Sequence, residues 1–248
     1  MKNIEIKDYN INIELKPFIN IIGLPASGKS TVLKMLINQV YNPNIFIDGK
    51  KLEEYPLEFK RQNLAAALHN FTFNTKDVKT ELLYYQDILN IELEDSIKQI
   101  RLFVKYFGLS DLIESKIEYL TKGEQALIKI LSLLIIKPKL LGIDTLMEYL
   151  TKEQKLKIVK YAKENKISIL NVTSEPEELL LGTHIMVISD FKMIAYDTTK
   201  DILENESLLL EAGFDLPFIV NISSGLKSYN LLDKTYFDNE SVVGELWK

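Results

Sequence analysis

The sequence contains no cysteine, which excludes disulfides, zinc–thiolate sites and thiol catalysis. Arginine is also scarce and occurs only at Arg61 and Arg101. The formal net charge of −5 argues against a general nucleic-acid binder, because binding through counterion release needs a clustered excess of lysine and arginine. The most apolar stretch, residues 126–136, contains Lys129 and is too short to cross a bilayer. Any role at a membrane is therefore expected to be peripheral, through a protein partner.

The composition of the sequence and the order of its predicted strands and helices are those of an α/β domain. Apolar residues make up 46% and charged residues 26%, so the chain can bury a sizeable core. Residues 3–7 and 11–15 alternate as half-buried strands do, and residues 18–22 are typical of a fully buried strand. Strands alternating with helices indicate a largely parallel sheet covered on both faces. Helices are predicted at 29–39, at three successive segments within 77–117, at 121–136 and at 152–165. Further strands are predicted at 140–143, 167–172 and 185–188.

A glycine-rich loop joins the buried strand at 18–22 to the helix at 29–39. Its sequence matches G-x-x-x-x-G-K-[ST], a loop that binds phosphate groups. The glycines let successive backbone N–H groups point inward at an anion, and the start of the helix adds its positive end. Lys29 would reach the β- and γ-phosphates of a nucleotide, and Ser30 would hold Mg²⁺. The residues expected to bind nucleotide are Gly23, Pro25, Ala26, Ser27, Gly28, Lys29, Ser30 and Thr31.

A phosphate loop alone permits a kinase, a GTPase or a transporter motor, and the segments that follow distinguish between them. Residues 120–125 and then 137–144 resemble, in order and spacing, the signature motif and the second acidic motif of ABC ATPases. The stretch 68–82 is similar to the glutamine loop of that family, and 169–174 is similar to its strand with the switch histidine. Residues 213–217 and those after them resemble the C-terminal extension of energy-coupling factor importers. The resemblance covers nearly the whole chain.

This resemblance implies both a fold and a function. The fold is an α/β P-loop NTPase of the ABC type, in which a mostly parallel sheet is flanked by helices. The implied ATP-binding domain spans residues 1–205, with a helical subdomain at about 72–138, and a small C-terminal extension spans 206–248. The function is that of an ATP-binding subunit of a membrane importer at the cytoplasmic face. Its implied cofactors are ATP and Mg²⁺, with Asp144 joining Ser30 as a metal ligand.

Four positions outside the signature segment depart from the family pattern. Asp144 is followed by Thr145 instead of the glutamate that polarises the attacking water. Ser174 replaces the switch histidine, His69 replaces the glutamine, and Thr151 falls where the aspartate loop would end. A threonine hydroxyl is a very weak base, so general-base assistance worth about 10²–10⁴-fold is expected to be missing. The sequence therefore predicts that hydrolysis at the chain's own phosphate loop is weak or absent.

The signature segment keeps more of its chemistry. Thr121 retains a hydroxyl, Gly123 retains a close-approaching backbone and Glu124 begins the helix, whereas Lys122 replaces a glycine. ABC motors work as head-to-tail dimers in which each signature completes the phosphate loop of the other subunit. The resemblance thus implies a second ABC ATPase subunit, in a heterodimer or alternatively a homodimer, and integral membrane subunits. No nucleic-acid partner is expected.

Several residues allow both a functional and a purely structural role. Tyr9 is the nearest candidate for the aromatic residue that stacks on adenine, although a tyrosine that only packs at a strand edge is an equal alternative. Glu148, four residues after Asp144, is a candidate for a displaced base, but it is expected in a loop or helix start facing solvent. The three glutamates within 175–178 are expected to form a solvated helix start. Tyr84 and Tyr85 lie in the stretch that contacts the membrane subunit in the family, and they can equally be surface or core residues.

Two other functions stay open on the sequence alone. A non-hydrolysing ATP-binding scaffold or regulatory subunit shares the same motifs but needs no membrane partner. A P-loop kinase would need an arginine-bearing lid over the phosphates, and only Arg61 and Arg101 are available. A coiled-coil ABC protein of DNA maintenance would need a longer insertion between the phosphate loop and the signature.

Overall fold

The computed structural model describes residues 1–247, and its centre is a six-stranded sheet. Neighbouring strands run parallel except at one edge, where an antiparallel hairpin closes the sheet. The two strands in which every residue is buried are Phe18–Ile22 and Leu140–Asp144, as expected for parallel strands covered by helices on both faces. The predicted α/β fold with a mostly parallel sheet is confirmed. In spatial order the strands are β10 (Lys192–Thr198), β9 (His184–Ser189), β3 (Phe18–Ile22), β8 (Ser168–Val172), β7 (Leu140–Asp144) and β6 (Leu64–Ala67).

A smaller antiparallel sheet covers the helix that follows the phosphate loop. Its strands are β1 (Asn3–Ile6), β2 (Ile11–Glu14), β4 (Ile45–Ile47) and β5 (Lys50–Lys51), in the spatial order β2-β1-β4-β5. Alternate residues of its first two strands are buried isoleucines, as the period of two in a strand requires. These isoleucines share one apolar cluster with Val32, Leu33 and Leu36. The helix α1 (Lys29–Leu36) is therefore held between the two sheets.

The helices surround the central sheet, and three of them pack against one another beside β6 and β7. These three are α3 (Val78–Ile88), α4 (Leu93–Phe107) and α5 (Lys122–Leu134). None of the helices within residues 1–247 is long and apolar enough to cross a membrane. The others are α2 (Leu57–Asn63), α6 (Lys152–Glu164), α7 (Thr199–Leu203), α8 (Glu206–Ala212), α9 (Phe218–Ser228) and α10 (Asn239–Leu246).

Helices α8 and α9 pack on one face of the central sheet, at β9. Leu209, Ala212 and Val220 share an apolar cluster with Ile185 and Val187 of β9. Because this cluster is continuous, burial of apolar area ties α8 and α9 to the sheet. The boundary predicted at residues 205 and 206 falls between α7 and α8.

One predicted helix does not form. Residues 109–113 were expected to be helical from the spacing of Leu109, Leu112 and Ile113, but they form turns that lead into a 3-10 turn at Ile117–Tyr119. Gly108 ends α4 in the left-handed conformation, with a φ of 73°, and this stops the helix before the apolar pattern ends. The spacing of apolar residues here therefore indicates burial of these side chains and does not indicate a helix.

A buried ion pair joins α3 to α5. The Nζ atom of Lys129 lies 3.6 Å from Oε1 of Glu81, and their side chains are 7% and 0% exposed. Lys129 also donates to the carbonyl oxygen of Thr72 at 3.0 Å and to the hydroxyl of Tyr85 at 2.9 Å. Oε2 of Glu81 accepts from the backbone N–H of Thr75 at 3.0 Å. The pair thus fixes the segment that follows His69 in the chain, and Tyr85 has a packing role.

A second buried polar group corrects an expectation about the acidic cluster at 175–178. Glu178 is 1% exposed, accepts from Lys155 Nζ at 2.6 Å and accepts from Asn171 Nδ2 at 2.9 Å. It lies in the 3-10 turn Pro176–Leu181, so the expected solvated helix start is wrong at this residue. A carboxylate at this depth needs such a cation and such a donor, because an unpaired buried charge is strongly destabilising.

Candidate nucleotide site

The phosphate loop connects β3 to α1, and its glycines are required by its shape. Gly23 has a φ of 151°, and a Cβ atom there would collide with the carbonyl oxygen of Ile188. Gly28 has a φ of 99°, and a Cβ atom there would collide with the ring of Phe191. Both constraints hold without any ligand, so the fold of this chain itself requires glycine at the two glycine positions of the motif.

The polar side chains of the loop point back into it. Nζ of Lys29 donates to the carbonyl oxygens of Gly23 at 2.5 Å and Leu24 at 2.8 Å. Partial burial lowers the pKa of Lys29 below its ordinary value, and the nearby Asp144 opposes that shift. Oγ of Ser27 is buried and has no hydrogen-bond partner within residues 1–247. An unsatisfied buried hydroxyl in a loop with a lysine and a helix start is a suitable donor for a phosphate oxygen.

Ser30 and Asp144 meet as expected for a metal site. Oγ of Ser30 lies 2.9 Å from Oδ1 of Asp144, which is the last residue of β7 and is 4% exposed. The part of the chain described here holds no cluster of three or more histidines, aspartates or glutamates that would form a cage for a metal. Mg²⁺ commonly takes one or two protein oxygens and completes its shell with phosphate oxygens and water. One hydroxyl and one carboxylate beside a phosphate loop therefore fit Mg²⁺.

Thr145 and His69 are hydrogen-bonded to each other in this site. Oγ1 of Thr145 donates to the carbonyl oxygen of Asp144 at 2.8 Å and lies 2.9 Å from Nδ1 of His69. The hydroxyl of Thr145 therefore lies between a backbone carbonyl oxygen and the imidazole of His69, and the tautomer of His69 sets the direction of the second hydrogen bond. Thr145 has a φ of 61°, which is unusual for a β-branched residue. The structure thus brings together two of the positions at which the sequence departs from the family pattern.

Ser174 and Glu148 form a second pair. Oε1 of Glu148 accepts from the backbone N–H of Ser174 at 3.0 Å and from its Oγ at 2.8 Å. Glu148 is half-buried and lines a cleft of about 760 Å³ together with Ser30, His69 and Asp144. It reaches the cleft because a 3-10 turn at Leu146–Tyr149 follows Thr145 directly. The sequence signal was the acidic residue four positions after Asp144.

The signature segment begins α5, and its polar side chains are engaged with that helix. Thr121 is the N-cap: its Oγ1 accepts from the backbone N–H of Glu124 at 3.3 Å, and Oε2 of Glu124 accepts from the Thr121 backbone N–H at 2.8 Å. The Thr121 hydroxyl also donates to Oε2 of Glu124 at 2.8 Å. The backbone N–H and the hydroxyl of Thr121, which both donate to this carboxylate, lower the pKa of Glu124. A Cβ atom on Gly123 would lie 2.9 Å from the carbonyl oxygen of Tyr149, so this glycine is also required for packing within the chain.

Phe191 is a residue of the site region that the sequence did not reveal. It lies in the two-residue turn between β9 and β10 with a φ of 64°, and its backbone N–H donates to the carbonyl oxygen of Ser27 at 2.8 Å. Its ring packs on Gly28 and lies 6.4 Å from the ring of Tyr9, edge to face. Tyr9 therefore contacts Phe191, which in turn packs on the phosphate loop. A two-residue hairpin turn usually contains glycine. The absence of glycine at residues 190 and 191 was therefore the available sequence signal.

Comparison with known proteins agrees with this geometry. A protein-family model described as ABC transporter matches residues 6–147. The energy-coupling factor transporter ATP-binding protein EcfA1 of Mycoplasma mobile is 26% identical over 252 residues, which cover 98% of this chain and 90% of that protein. EcfA1 of Mycoplasmopsis synoviae is 24% identical over 243 residues, which cover 94% of this chain and 90% of that protein.

A solved structure supports the same fold assignment. The structure of cbiO1 from Clostridium perfringens, described as part of the ABC transporter complex cbiONQ, has a TM-score of 0.70 and 19% identity. The likeness covers 93% of this chain and 96% of that one, so the two share their fold over almost their whole length. Since the family match spans more than half of the residues and contains the phosphate loop, the signature segment and Asp144, the chain belongs to the ABC transporter family.

Proposed function

We propose that this chain is the ATP-binding subunit of a membrane importer of the energy-coupling factor type. The observation that carries the proposal is the 2.9 Å contact between Ser30 and Asp144 beside a phosphate loop whose shape requires its two glycines. When bound, Mg²⁺ would neutralise charge on the β- and γ-phosphates, with Ser30 and Asp144 as its protein ligands. The full-length likeness to two energy-coupling factor ATP-binding proteins supports the importer class. In this proposal residues 1–205 form the ATP-binding domain, 72–138 its helical subdomain and 206–248 its extension.

The chain's own site is proposed to bind Mg-ATP and to hydrolyse it weakly. Thr145 follows Asp144, and its hydroxyl is already hydrogen-bonded to a backbone carbonyl oxygen and to the imidazole of His69. Such a hydroxyl cannot take a proton from water at neutral pH. His69 and Ser174 stand at the other two positions that would contact the γ-phosphate. These substitutions lower the rate of the chemical step without removing the phosphate loop.

The signature segment is proposed to act on a second ABC ATPase subunit. Thr121, Gly123 and Glu124 lie at the start of α5, where the helix dipole favours an anion. In this arrangement the pair is a heterodimer and the second subunit carries the stronger hydrolytic site. Integral membrane subunits complete the importer, and the chain is peripheral at the cytoplasmic face of the membrane.

Steady-state Mg-ATP hydrolysis by the purified full chain, with nucleotide binding measured in parallel, tests this proposal. We expect tight ATP binding, slow turnover, and loss of both in Lys29→Ala, because that substitution removes the cation of the phosphate loop. The matched control is Lys98→Ala, which removes an exposed lysine paired only with Asp95 and leaves binding unchanged. Wild-type binding that survives in Lys29→Ala would contradict the nucleotide site.

Membrane fractionation tests the importer assignment separately. The chain is expected in the membrane pellet of its own cells and is expected to be released by alkaline carbonate without detergent. Recovery of the chain in the soluble fraction alone would instead favour an ATP-binding scaffold.

A further inference from the structure

The turn that follows Thr145 delivers a carboxylate to the nucleotide cleft. Leu146 and Met147 are both fully buried, so they anchor the turn in the core. The backbone N–H of Thr145 donates to the carbonyl oxygen of Val172 at 3.0 Å, and that of Glu148 donates to the carbonyl oxygen of Thr145 at 3.3 Å. The direction in which Glu148 leaves this turn is therefore set by packing and by the backbone of β8.

The backbone at the start of the turn is strained. Thr145 lies in the left-handed region with a φ of 61° and a ψ of 0°. A β-branched residue is disfavoured in this conformation, and such strain persists where the surroundings overdetermine the conformation. An extended or right-handed backbone conformation at position 145 would direct the chain away from β7 along a different path. The strained conformation is thus what places Glu148 beside Ser30, His69 and Asp144 in the same cleft.

One oxygen of the Glu148 carboxylate is held and the other is free. Oε1 accepts both hydrogen bonds from Ser174, at 3.0 Å from the backbone N–H and at 2.8 Å from Oγ. Oε2 has no hydrogen-bond partner within residues 1–247, so one lone-pair-bearing oxygen remains available to a water molecule. Two donors on one oxygen fix the position of the carboxylate, as a general base requires.

We infer that Glu148 is the general base for ATP hydrolysis at this chain's own phosphate loop, and that Ser174 positions it. The inference rests on the proposed function, because it needs ATP in the loop. In the step, a water oxygen bonds to the γ-phosphorus while Oε2 of Glu148 takes a proton from that water. The bond from the γ-phosphorus to the β–γ bridging oxygen breaks, and ADP leaves with its electron pair. Glu148 then returns the proton to phosphate or solvent, so the products are ADP and inorganic phosphate.

The arrangement accounts for weak hydrolysis instead of none. A carboxylate on a turn three residues beyond Thr145 approaches the water from a different direction than a residue at 145 would. It is also held by a serine, which adds no charge to the site. A carboxylate base is thus present, but it is oriented less favourably than a base at position 145 would be. Slow ATP turnover that depends on Glu148 is therefore predicted.

Single-turnover hydrolysis with the full chain in excess over Mg-ATP tests the inference, with ATP affinity measured on each variant. Glu148→Gln removes the base but keeps the shape, so turnover is expected to fall on the order of 100-fold while ATP affinity stays the same or rises. Ser174→Ala is expected to lower turnover about tenfold, and Ser174→Thr to restore it, because the hydroxyl acts through Glu148. Glu175→Gln is the matched control: it removes an exposed carboxylate next to Ser174 and leaves turnover unchanged.

The outcomes separate this inference from the proposed function. Turnover that persists in Glu148→Gln, or that is lost in His69→Gln and not in Glu148→Gln, overturns the role of Glu148. Absence of any Lys29-dependent turnover in the wild-type chain also overturns it, while ATP binding in the same samples leaves the proposed function standing. Failure of the wild-type chain to bind ATP refutes the proposed function itself. Ser174→Thr that behaves like Ser174→Ala refutes the positioning role alone.

Discussion

Replacing Lys129 with methionine is expected to destabilise the protein through Glu81. Methionine keeps most of the length and the apolar contacts of the lysine stem but removes its charge. The Glu81 carboxylate is then left fully buried without the cation that lies 3.6 Å from it. Breaking a buried pair by removing one partner costs about 3–5 kcal/mol. The lower end applies here, because the backbone N–H groups of Asn74 and Thr75 still donate to Glu81.

Thermal unfolding measures this loss. For a chain of this size 1 kcal/mol lowers Tm by about 2–4 °C, so a loss of about 3 kcal/mol lowers Tm by about 6–12 °C. The matched control is Lys98→Met, which breaks an exposed pair with Asp95 and is expected to change stability by less than about 1 kcal/mol. Adding Glu81→Gln to Lys129→Met is expected to recover part of the loss, because a neutral amide needs no cation. A Tm change below about 2 °C in Lys129→Met would show that the backbone donors alone satisfy Glu81 and would refute the reasoning.

Two further outcomes follow from the site. Gly28→Ala is expected to lower ATP affinity at least tenfold in a titration with a fluorescent ATP analogue, because φ is 99° and the new methyl collides with Phe191; unchanged affinity would contradict the required geometry. Thr121→Ala removes the N-cap of α5 and is expected to cost about 1 kcal/mol in denaturant unfolding at neutral pH. The backbone N–H and the hydroxyl of Thr121 both lower the folded-state pKa of Glu124, and Thr121→Ala removes only the hydroxyl. The stabilisation from the hydroxyl is present above the unfolded pKa and is lost as pH falls through the folded one. The difference between Thr121→Ala and the wild type is therefore expected to shrink below about pH 4, and a difference that is constant down to pH 3 would contradict this assignment.

The central sheet and the phosphate loop were predictable because their signals are local. Residues 18–22 form a continuous apolar run, and the loop that follows contains glycines where the backbone needs positive φ. The family assignment excludes the kinase alternative, because the assignment rests on several motifs in a fixed order along the chain. By contrast β6, with the sequence Leu-Ala-Ala-Ala, contains no β-branched residue, and it forms a strand only because it pairs with β7.

The parts of the site that sequence reasoning missed depend on backbone conformation and on distant contacts. Glu148 enters the cleft because Thr145 adopts a left-handed conformation that threonine rarely adopts. Phe191 reaches the phosphate loop through a hairpin turn at which two successive non-glycine residues have positive φ. Glu178 is buried because Lys155 and Asn171 approach it from α6 and β8. Residue types along the chain signal the first two placements only weakly, and they give no signal for the burial of Glu178.

The conformation of Thr145 also limits how this site can have arisen. A left-handed backbone penalises branching at Cβ. An unbranched side chain such as glutamate at position 145 is therefore expected to strain the backbone less than threonine does, so stability alone does not explain the threonine.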